Sequence, residues 1–480
     1  MRKWLILGHR WLGVLLGLFF LLWFASGIVM VFTGGMPELS PRDRLDHLPP
    51  IDFARVRLTP LEAVRRSALT RGGRLSLLTI QGRPAYRIES GRVVTIFADT
   101  GERRNDGMED EEALAVAASF LGVMPESLRH VEVLDAPDQW TIEMGGDMPL
   151  HRIAAGDSAA TELYVSEESG EVVLATTRRS RALAWAGAIP HWLYLKAIRV
   201  HGAAWRQLVM WTSGLGTLSA AIGVALAWTQ YRVRYAGLLR WHYWTGAVVG
   251  IFAVTWVFSG WLSMEPADWT TSEAAGARVP QTLSGVLDLS RYPAFDPGAW
   301  AEFSRTSGIG AVKELEFRSA LDDPVYVVRG TRTVIAPVAP LRVRPDPFPA
   351  VEIVARVVRG AGGAPLASTD VLTGYDSYYY DRTGEAPLPA LRVKFADPAS
   401  TWLYVDLRFA QVRASFTRRE RINRWLYHGL HDLDFPFLYG NRLVWSAVLV
   451  VLCAGGTMLS AIGVMLGWRR VRRTRPFARL

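Results

Sequence analysis

Long apolar stretches alternate with long polar segments along this chain of 480 residues. Four stretches without Asp, Glu, Lys or Arg cover residues 11–33, 207–231, 241–264 and 443–468. Each is longer than the ~20 residues that a helix needs to cross the hydrocarbon core of a membrane. The pattern predicts four transmembrane helices and excludes a freely soluble protein.

The two long polar segments are predicted to form α+β domains. Thr59 can cap a helix that starts at Pro60. A second helix is predicted over 111–121, with strands over 74–81, 85–89, 93–98, 139–144, 161–165 and 171–175. The later segment predicts a helix over 350–358, an extended proline-rich connector over 336–349, and strands over 312–317, 324–329, 376–381, 391–395 and 401–405.

The domain boundaries follow from this alternation. They are residues 1–33 for the first span, 34–206 for the first domain, 207–264 for two spans with a short loop, 265–442 for the second domain, and 443–480 for the last span and tail. No glycine-rich phosphate loop lies between a strand and a helix, so a built-in nucleotide domain is not expected. Cys453 is the only cysteine, which excludes a disulfide scaffold and covalent c-type haem.

The positive charges indicate the orientation. The 54 Lys and Arg exceed the 45 Asp and Glu, and arginines concentrate in the 232–240 loop and in the tail after residue 468. Basic short loops face the cytoplasm, so both termini are predicted inside and both domains in the bacterial periplasm. Because the basic clusters flank helices, a nucleic-acid partner is not expected. The first stretch is longer than a signal-peptide core and is predicted to remain as an anchor.

The chain also contains an internal repeat. A shift of 233 residues aligns the first span with the third, and a shift of 240 aligns the later parts of both halves. The matched positions include His9 with His242, Ser26-Gly27 with Ser259-Gly260, His191 with His431, Gly223 with Gly463, and Trp228 with Trp468. The sequence therefore predicts two parallel repeats of span, domain and span, related by an axis along the membrane normal.

Four histidines occupy matched places in the two repeats. His9 and His242 begin spans one and three, whereas His191 and His431 precede spans two and four. Two imidazoles that face each other across a helical bundle are the ligands of a b-type haem iron. The pattern predicts two haems, one near each membrane face, with these four histidines as axial ligands. Membrane-interface anchoring is the alternative reading.

Other polar residues have weaker claims. His428 could replace His431 as a ligand, because it lies three residues earlier, and His201 is a further candidate. Arg178 and Arg418 could pair with haem propionates or an anionic substrate, or anchor lipid head groups. His47, His130 and His151 are predicted to be surface residues of the first domain.

The chain resembles the PepSY-associated transmembrane family over nearly its full length. The resemblance rests on HRWLGV at 9–14, ELYVSEESGEV at 162–172, PHWLY at 190–194, GYDSYYYD at 374–381 and RWLYHGLHDLDFPFLY at 424–439. It implies an inner-membrane protein with periplasmic PepSY-like domains, and for some members a ferric-siderophore reductase with b-type haem. The second domain departs from the pattern at 407–411, where the glycine turn of residues 167–171 is lost.

Together these features predict an α-helical membrane protein that passes electrons to a periplasmic ferric chelate. Such a protein would contact membrane lipid and receive electrons from an external donor, either a quinol or a cytoplasmic flavin enzyme. One alternative is a non-redox, membrane-anchored PepSY module that binds a peptide or protease. A transporter is disfavoured, because the spans contain no Asp, Glu, Lys or Arg.

Overall fold

The computed structural model describes residues 2–69, 73–105, 107–381 and 386–473. Arg475 and Arg479, which contributed to the predicted orientation, lie outside these ranges. The α-helices are α1 (Arg2–Thr33), α2 (Pro41–His47), α3 (Pro60–Ser67), α4 (Asp110–Leu121), α5 (Arg178–Ala186), α6 (Ala188–Trp192), α7 (Lys196–Arg199), α8 (Gly202–Thr229), α9 (Gly237–Leu262), α10 (Val279–Ser284), α11 (Pro297–Thr306), α12 (Ala350–Gly360), α13 (Arg418–Arg424), α14 (Pro436–Tyr439) and α15 (Arg442–Arg473).

Helices α1, α8, α9 and α15 are long and apolar enough to cross a membrane. Helix α1 packs against α8 and α15, and α9 packs against the same two helices, so the four form a closed bundle. Small residues let the helices approach closely. At Gly456, for example, an added Cβ would lie only 2.4 Å from the Phe24 ring. The predicted multi-pass membrane protein is confirmed at this level, with α1 beginning before the apolar stretch.

The strands form three antiparallel sheets outside the bundle. They are β1 (Arg74–Ile80), β2 (Arg83–Glu89), β3 (Val93–Phe97), β4 (Arg129–Leu134), β5 (Leu150–Ala154), β6 (Glu162–Ser166), β7 (Val172–Thr176), β8 (Glu314–Ala320), β9 (Asp323–Arg329), β10 (Thr333–Pro337), β11 (Leu366–Leu372), β12 (Ala390–Phe395), β13 (Trp402–Asp406) and β14 (Gln411–Phe416). The sheet orders are β10-β9-β8-β1-β2-β3, β4-β5-β6-β7 and β11-β12-β13-β14.

The six-stranded sheet joins the two polar segments of the chain. Strand β1 pairs with β8 in antiparallel register, with Leu75 opposite Phe317 and Leu77 opposite Leu315. All four side chains are buried, and they belong to one core cluster that draws residues from both segments. The two segments therefore share a hydrophobic core.

Most predicted elements are present. Thr59 caps the helix at Pro60 as expected, and it does so in a capping box with Glu62. The predicted helices over 111–121 and 350–358 correspond to α4 and α12. Strands β4, β5, β10, β11 and β14 were not predicted. The connector over 336–349 begins later than expected, because β10 continues to Pro337.

The strand predicted over 139–144 is wrong. The Asp138 carboxylate accepts hydrogen bonds from the backbone N–H groups of Trp140 at 2.8 Å and Thr141 at 3.0 Å. These bonds close a turn, and a backbone N–H used in this way cannot also pair with a neighbouring strand.

The strand predicted over 376–381 is wrong for the same reason. The Asp376 carboxylate accepts from the N–H groups of Tyr378 at 2.8 Å and Tyr379 at 2.7 Å. Side chains that bond to nearby backbone favour turns over ladders. The tyrosine-rich segment therefore packs beside the β11-β12-β13-β14 sheet without joining it.

A buried carboxylate links the polar segments near the β1–β8 seam. The side chain of Glu314 is 4% exposed and accepts from Arg44 at 2.7 Å, Arg74 at 3.1 Å and Arg329 at 3.1 Å. Burial alone would raise the pKa of Glu314, but Arg44 and Arg329 outweigh it and hold that pKa below its ordinary value. A carboxyl with a lowered folded-state pKa stabilises the fold above that pKa, and this stability is lost as the pH falls through it.

We expect Glu314→Gln to destabilise the extramembrane domains, because it leaves three arginines around a neutral amide. Breaking a fully buried ion pair costs roughly 3–5 kcal/mol, and the partly exposed arginines reduce this to about 2–4 kcal/mol here. Thermal unfolding of the full chain in detergent measures the effect. The control is Glu102→Gln, since Glu102 is 64% exposed and its ion pair with Arg83 spans 3.5 Å. Equal melting temperatures for the two variants would contradict the assigned role.

Candidate functional site

The structure brings the four matched histidines together as two facing pairs. His9 of α1 and His242 of α9 have ring centroids 6.2 Å apart. His191 of α6 and His431 have centroids 6.0 Å apart. We call these the terminus-side pair and the domain-side pair, because the first lies toward the chain termini and the second toward the sheets. In each pair the two residues come from different halves of the chain.

In the domain-side pair, the first ring is held by α1. The Nδ1 atom of His191 lies 3.1 Å from the Ser26 hydroxyl oxygen and 3.1 Å from the carbonyl oxygen of Trp23. An Nδ1–H that donates to a carbonyl fixes the tautomer and leaves Nε2 with its lone pair. Burial, with a smaller contribution from His431, lowers the pKa of His191 to about 4. The imidazole is therefore neutral at physiological pH and able to bind a metal.

The second ring is held by α9 in a matching way. The Nδ1 atom of His431 lies 3.0 Å from the Ser259 hydroxyl oxygen and 3.3 Å from the carbonyl oxygen of Trp256. These partners are the repeat counterparts of Ser26 and Trp23. The contacts explain why both serines, which donate back to their own helices, are buried among apolar residues.

The terminus-side pair is held by backbone carbonyls. The Nδ1 atom of His9 lies 2.9 Å from the carbonyl oxygen of Ser219. His242 interacts with the backbone of Leu459, the counterpart of Ser219, although its buried Nδ1 makes no hydrogen bond of standard geometry. The two rings are thus supported from α8 and α15, the helices that flank them.

Glycines give the rings room. An added Cβ at Gly223 would lie 2.7 Å from His9 Cε1, and one at Gly463 would lie 3.5 Å from His242 Cε1. Any larger residue at Gly223 would displace the His9 ring. The glycine matches found in the sequence therefore have a direct steric reason, which the sequence alone did not show.

Each pair lines a cavity between the helices. The terminus-side cavity is about 550 Å³ and is lined by glycines at positions 13, 17, 223, 246, 250 and 463, with Arg10 and Arg470. The domain-side cavity is about 590 Å³, and its walls include aromatic side chains such as Trp23, Trp192, Trp205, Tyr427 and Trp445. Both volumes fall within the range of roughly 300–1,000 Å³ that is typical of small-molecule and cofactor sites.

Packed aromatic rings separate the two cavities. Phe20 lines the terminus-side cavity, whereas Phe24 and Trp256 line the domain-side cavity. The Phe20 and Phe24 centroids are 6.3 Å apart, and those of Phe24 and Trp256 are 5.7 Å apart. Phe24 and Trp256 are buried.

A family model described as the PepSY-associated TM region matches residues 7–470. The chain belongs to this family. The resemblance inferred from the sequence is thereby confirmed over nearly the whole length. No match to a curated protein was found.

In this PepSY-associated protein, His428 does not share the domain-side cavity with His431. Its exposed ring pairs with Asp432, with 3.4 Å between Nδ1 and Oδ2. The sequence placed both histidines on one face of an α-helix, but Trp425–Gly429 forms a π-helical turn. Such wide turns are frequent at functional sites, where they redirect a side chain.

The two predicted arginines also lie away from the cavities. Arg178 and Arg418 are exposed at the starts of α5 and α13. Their neighbours Arg181 and Arg421, which match under the shift of 240 residues, have a structural role, because each donates to a backbone carbonyl of the adjacent sheet region. The arginines that line a cavity are Arg10 and Arg470, which the sequence analysis did not select.

The remaining histidines divide into surface and buried positions. His201 is exposed before α8, and His47 is exposed with its ring stacked on Phe120 at 4.1 Å. The prediction that His151 lies on the surface is wrong, since it is 1% exposed. His130 is partly buried beside it, with ring centroids 5.1 Å apart.

Proposed function

We propose that this membrane protein binds two b-type haems between its helices and reduces a ferric chelate on the side of its sheets. The observation that carries the proposal is the spacing of the two histidine pairs. An imidazole nitrogen lies about 2.0–2.1 Å from a bound metal, so two rings on opposite sides of one iron have centroids about 6 Å apart. The measured separations are 6.2 and 6.0 Å.

The surroundings of the pairs support haem rather than another metal. Two imidazoles without a third protein ligand make a poor zinc site. Among the described residues, neither cavity is lined by a third histidine, and Cys453 is the one cysteine at a cavity wall, on the domain side. The Cys453 thiol lies beside α1, because a Cβ added at Gly27 would be 3.5 Å from its Sγ. A large apolar cavity between two imidazoles suits a planar macrocycle.

The residues around each cavity would bind the iron, orient the histidine rings or contact the edges of the haem. His9 with His242, and His191 with His431, would hold iron through Nε2, while the carbonyl contacts at Nδ1 of His9, His191 and His431 orient these three rings. Arg10 and Arg470 are placed to pair with carboxylates at the terminus side. At the domain side, Trp256 lines the cavity and its buried Nε1 has no acceptor among the described residues. It could donate to a bound group.

Bound haem supplies a one-electron couple whose potential is set by axial ligands and burial. Seventeen positions of α1 separate His9 from Ser26, which contacts His191, so the two levels lie about 25 Å apart at 1.5 Å per residue. In the proposed arrangement this spacing puts one pair near each membrane face. With the arginine-rich loop and tail in the cytoplasm, the domain-side pair and all three sheets face the periplasm of a bacterial inner membrane.

Reduction suits the release of iron, because Fe(II) binds hard oxygen ligands less tightly than Fe(III) does. The described part of the chain contains no nucleotide-binding loop before a helix, so the proposal requires an external donor. A quinol in the membrane or a cytoplasmic flavin enzyme would meet this need. The exposed rim of the domain-side cavity, with Trp192 and Tyr194, is the face available to the chelate.

The decisive experiment is the visible spectrum of protein purified in detergent from cells supplied with haem. We expect a Soret band and sharp α and β bands after reduction with dithionite, and a pyridine haemochrome value of two haems b per chain. A folded preparation with a flat visible spectrum would overturn the proposal. If haem-loaded protein reduces no ferric chelate to Fe(II), the haem part of the proposal stands and the ferric chelate is not the electron acceptor.

Gly223→Ala is expected to lower occupancy of the terminus-side haem only. The new Cβ would lie 2.7 Å from His9 Cε1, so the His9 ring would have to move away from its present position beside the Ser219 carbonyl. The matched control is Gly8→Ala, because Gly8 lies on α1 with open space around its Cβ position. Haem content per chain should fall by at most one equivalent in the first variant and stay constant in the second. Equal haem content in the two variants would contradict the close fit.

A further inference from the structure

Two histidines and an aspartate converge in the first extramembrane domain, away from both haem-size cavities. Asp110, His130 and His151 each offer a ligand atom, and these atoms all lie within 4.8 Å of one another. His130 Nε2 is 2.9 Å from His151 Nδ1, and His151 Nδ1 is 3.6 Å from Asp110 Oδ1. With metal bonds of about 2.0–2.1 Å, ligand atoms at tetrahedral angles lie about 3.3 Å apart. The observed separations bracket this value.

Regular elements hold the three side chains in place. Asp110 is the first residue of α4, while His130 and His151 lie on the adjacent strands β4 and β5. The register of these strands shifts between His130 and Glu132, and such bulges redirect side chains. Ligands carried by a helix start and two paired strands are positioned before any metal arrives.

A fourth residue provides the outer support that metal-binding histidines have. The Nε2 atom of His151 lies 3.1 Å from Glu167 Oε1. A histidine that binds metal through one nitrogen usually donates its other N–H to a carboxylate or carbonyl, which fixes its tautomer. This contact leaves the lone pair on His151 Nδ1, the atom facing His130 and Asp110, where it accepts a hydrogen bond from His130 Nε2.

The burial of the cluster leaves one side open. The side chain of His151 is 1% exposed and that of His130 is 15% exposed, whereas Asp110 is 62% exposed. Two ligands are thus fixed inside the domain, and the third lies at the surface. An ion bound here would keep coordination positions for water or for a ligand from solution.

The second domain lacks the cluster, which shows that the fold does not need it. Helix α12 begins with Ala350 where α4 begins with Asp110, and Leu391 and Leu407 stand at the places of His151 and Glu167. Thr369 pairs with Val393 as His130 pairs with Ile153. Helix and sheet are nevertheless formed, so packing alone does not require two histidines and two carboxylates in the first domain.

We infer that Asp110, His130 and His151 form a binding site for one divalent first-row transition-metal ion, with Glu167 as a positioning residue. Two imidazoles and one carboxylate suit zinc, iron(II) or copper(II), whereas magnesium and calcium prefer oxygen ligands alone. The site is independent of the proposed haems, because it lies in another part of the molecule and uses different residues.

The test uses full-length, haem-loaded protein in detergent, so that the four haem histidines are occupied. After treatment with a chelator, the protein is equilibrated with Zn²⁺ and desalted, and zinc per chain is measured by mass spectrometry. We expect one tightly held zinc in the native chain and a zinc-dependent rise in melting temperature. Asp110→Asn, at an exposed position, should lose both, and Glu167→Gln should bind about 10-fold more weakly.

The matched control is His47→Gln, which alters an exposed histidine of the same segment and should retain the zinc. Haem absorbance should be unchanged in every variant, so failure here is distinct from failure of the haem proposal. The inference is overturned if the native chain retains no zinc, or if Asp110→Asn and His130→Gln retain as much as His47→Gln.

Discussion

His191→Ala and His431→Ala are each expected to remove the same single haem equivalent. The two rings face each other at 6.0 Å, and a b-type haem with two histidine ligands loses its defined coordination when either is absent. Haem content should fall from two equivalents to one in each variant. The double variant should lose no more than the single ones, because both residues serve one site. Pyridine haemochrome and reduced-minus-oxidised spectra measure this directly.

The matched control is His428→Ala, which changes a histidine three residues from His431 in the same segment. Its exposed ring contacts Asp432 and does not line the cavity, so the spectrum should stay unchanged. Loss of haem in His428→Ala but not in His431→Ala would exchange their roles. Loss of both equivalents in a variant that remains folded would mean that the two sites are not separable.

The histidine pairs could be predicted from sequence because both halves of the chain carry them at matched positions. Most residues differ between the halves, so the matches at His9 with His242 and at His191 with His431 stood out. Ser26 and Ser259 were matched as well, but their contacts with ring nitrogens could not be read from spacing. Those contacts depend on how α6 and the π-helical turn lie against α1 and α9.

The pairing of strands from distant parts of the chain could not be predicted from the sequence. Strands β1 and β8 are separated by more than 200 residues, and nothing local indicates that Leu77 lies opposite Leu315. Local hydrogen bonds account for the two strands that were predicted but do not form. At Asp138 and Asp376, a carboxylate bound to nearby N–H groups turned an apparently strand-like pattern into a loop.

The cluster around His151 was missed because burial of a polar residue depends on its partners. A histidine in a short strand without a matched counterpart is usually a surface residue. His151 is buried because Glu167 and His130 satisfy its two nitrogens, and these partners lie 16 and 21 positions away in sequence. Spacing alone could not have brought the three residues together.

Reduction of a ferric chelate across a membrane is expected to require both histidine pairs. The pairs lie about 25 Å apart along α1, and buried aromatic rings, including Phe24 and Trp256, fill the space between the cavities. In the proposed arrangement, neither pair alone reaches both membrane faces. Proteoliposomes with dithionite trapped inside and ferric citrate outside should produce Fe(II) outside, where a ferrous-specific chelator reports it. His9→Ala and His431→Ala should each lower this rate to that of liposomes without protein.

The spectra of the same proteoliposomes separate loss of one site from loss of the fold. His9→Ala should keep the domain-side haem, and His431→Ala should keep the terminus-side haem, so each inactive variant retains one equivalent as an internal check on folding. His47→Ala, at an exposed position outside both cavities, should reduce the chelate at the native rate. A His9→Ala protein that has lost its terminus-side haem yet reduces the chelate at the native rate would show that the electrons need only the domain-side pair. The proposed route through the bundle would then be wrong.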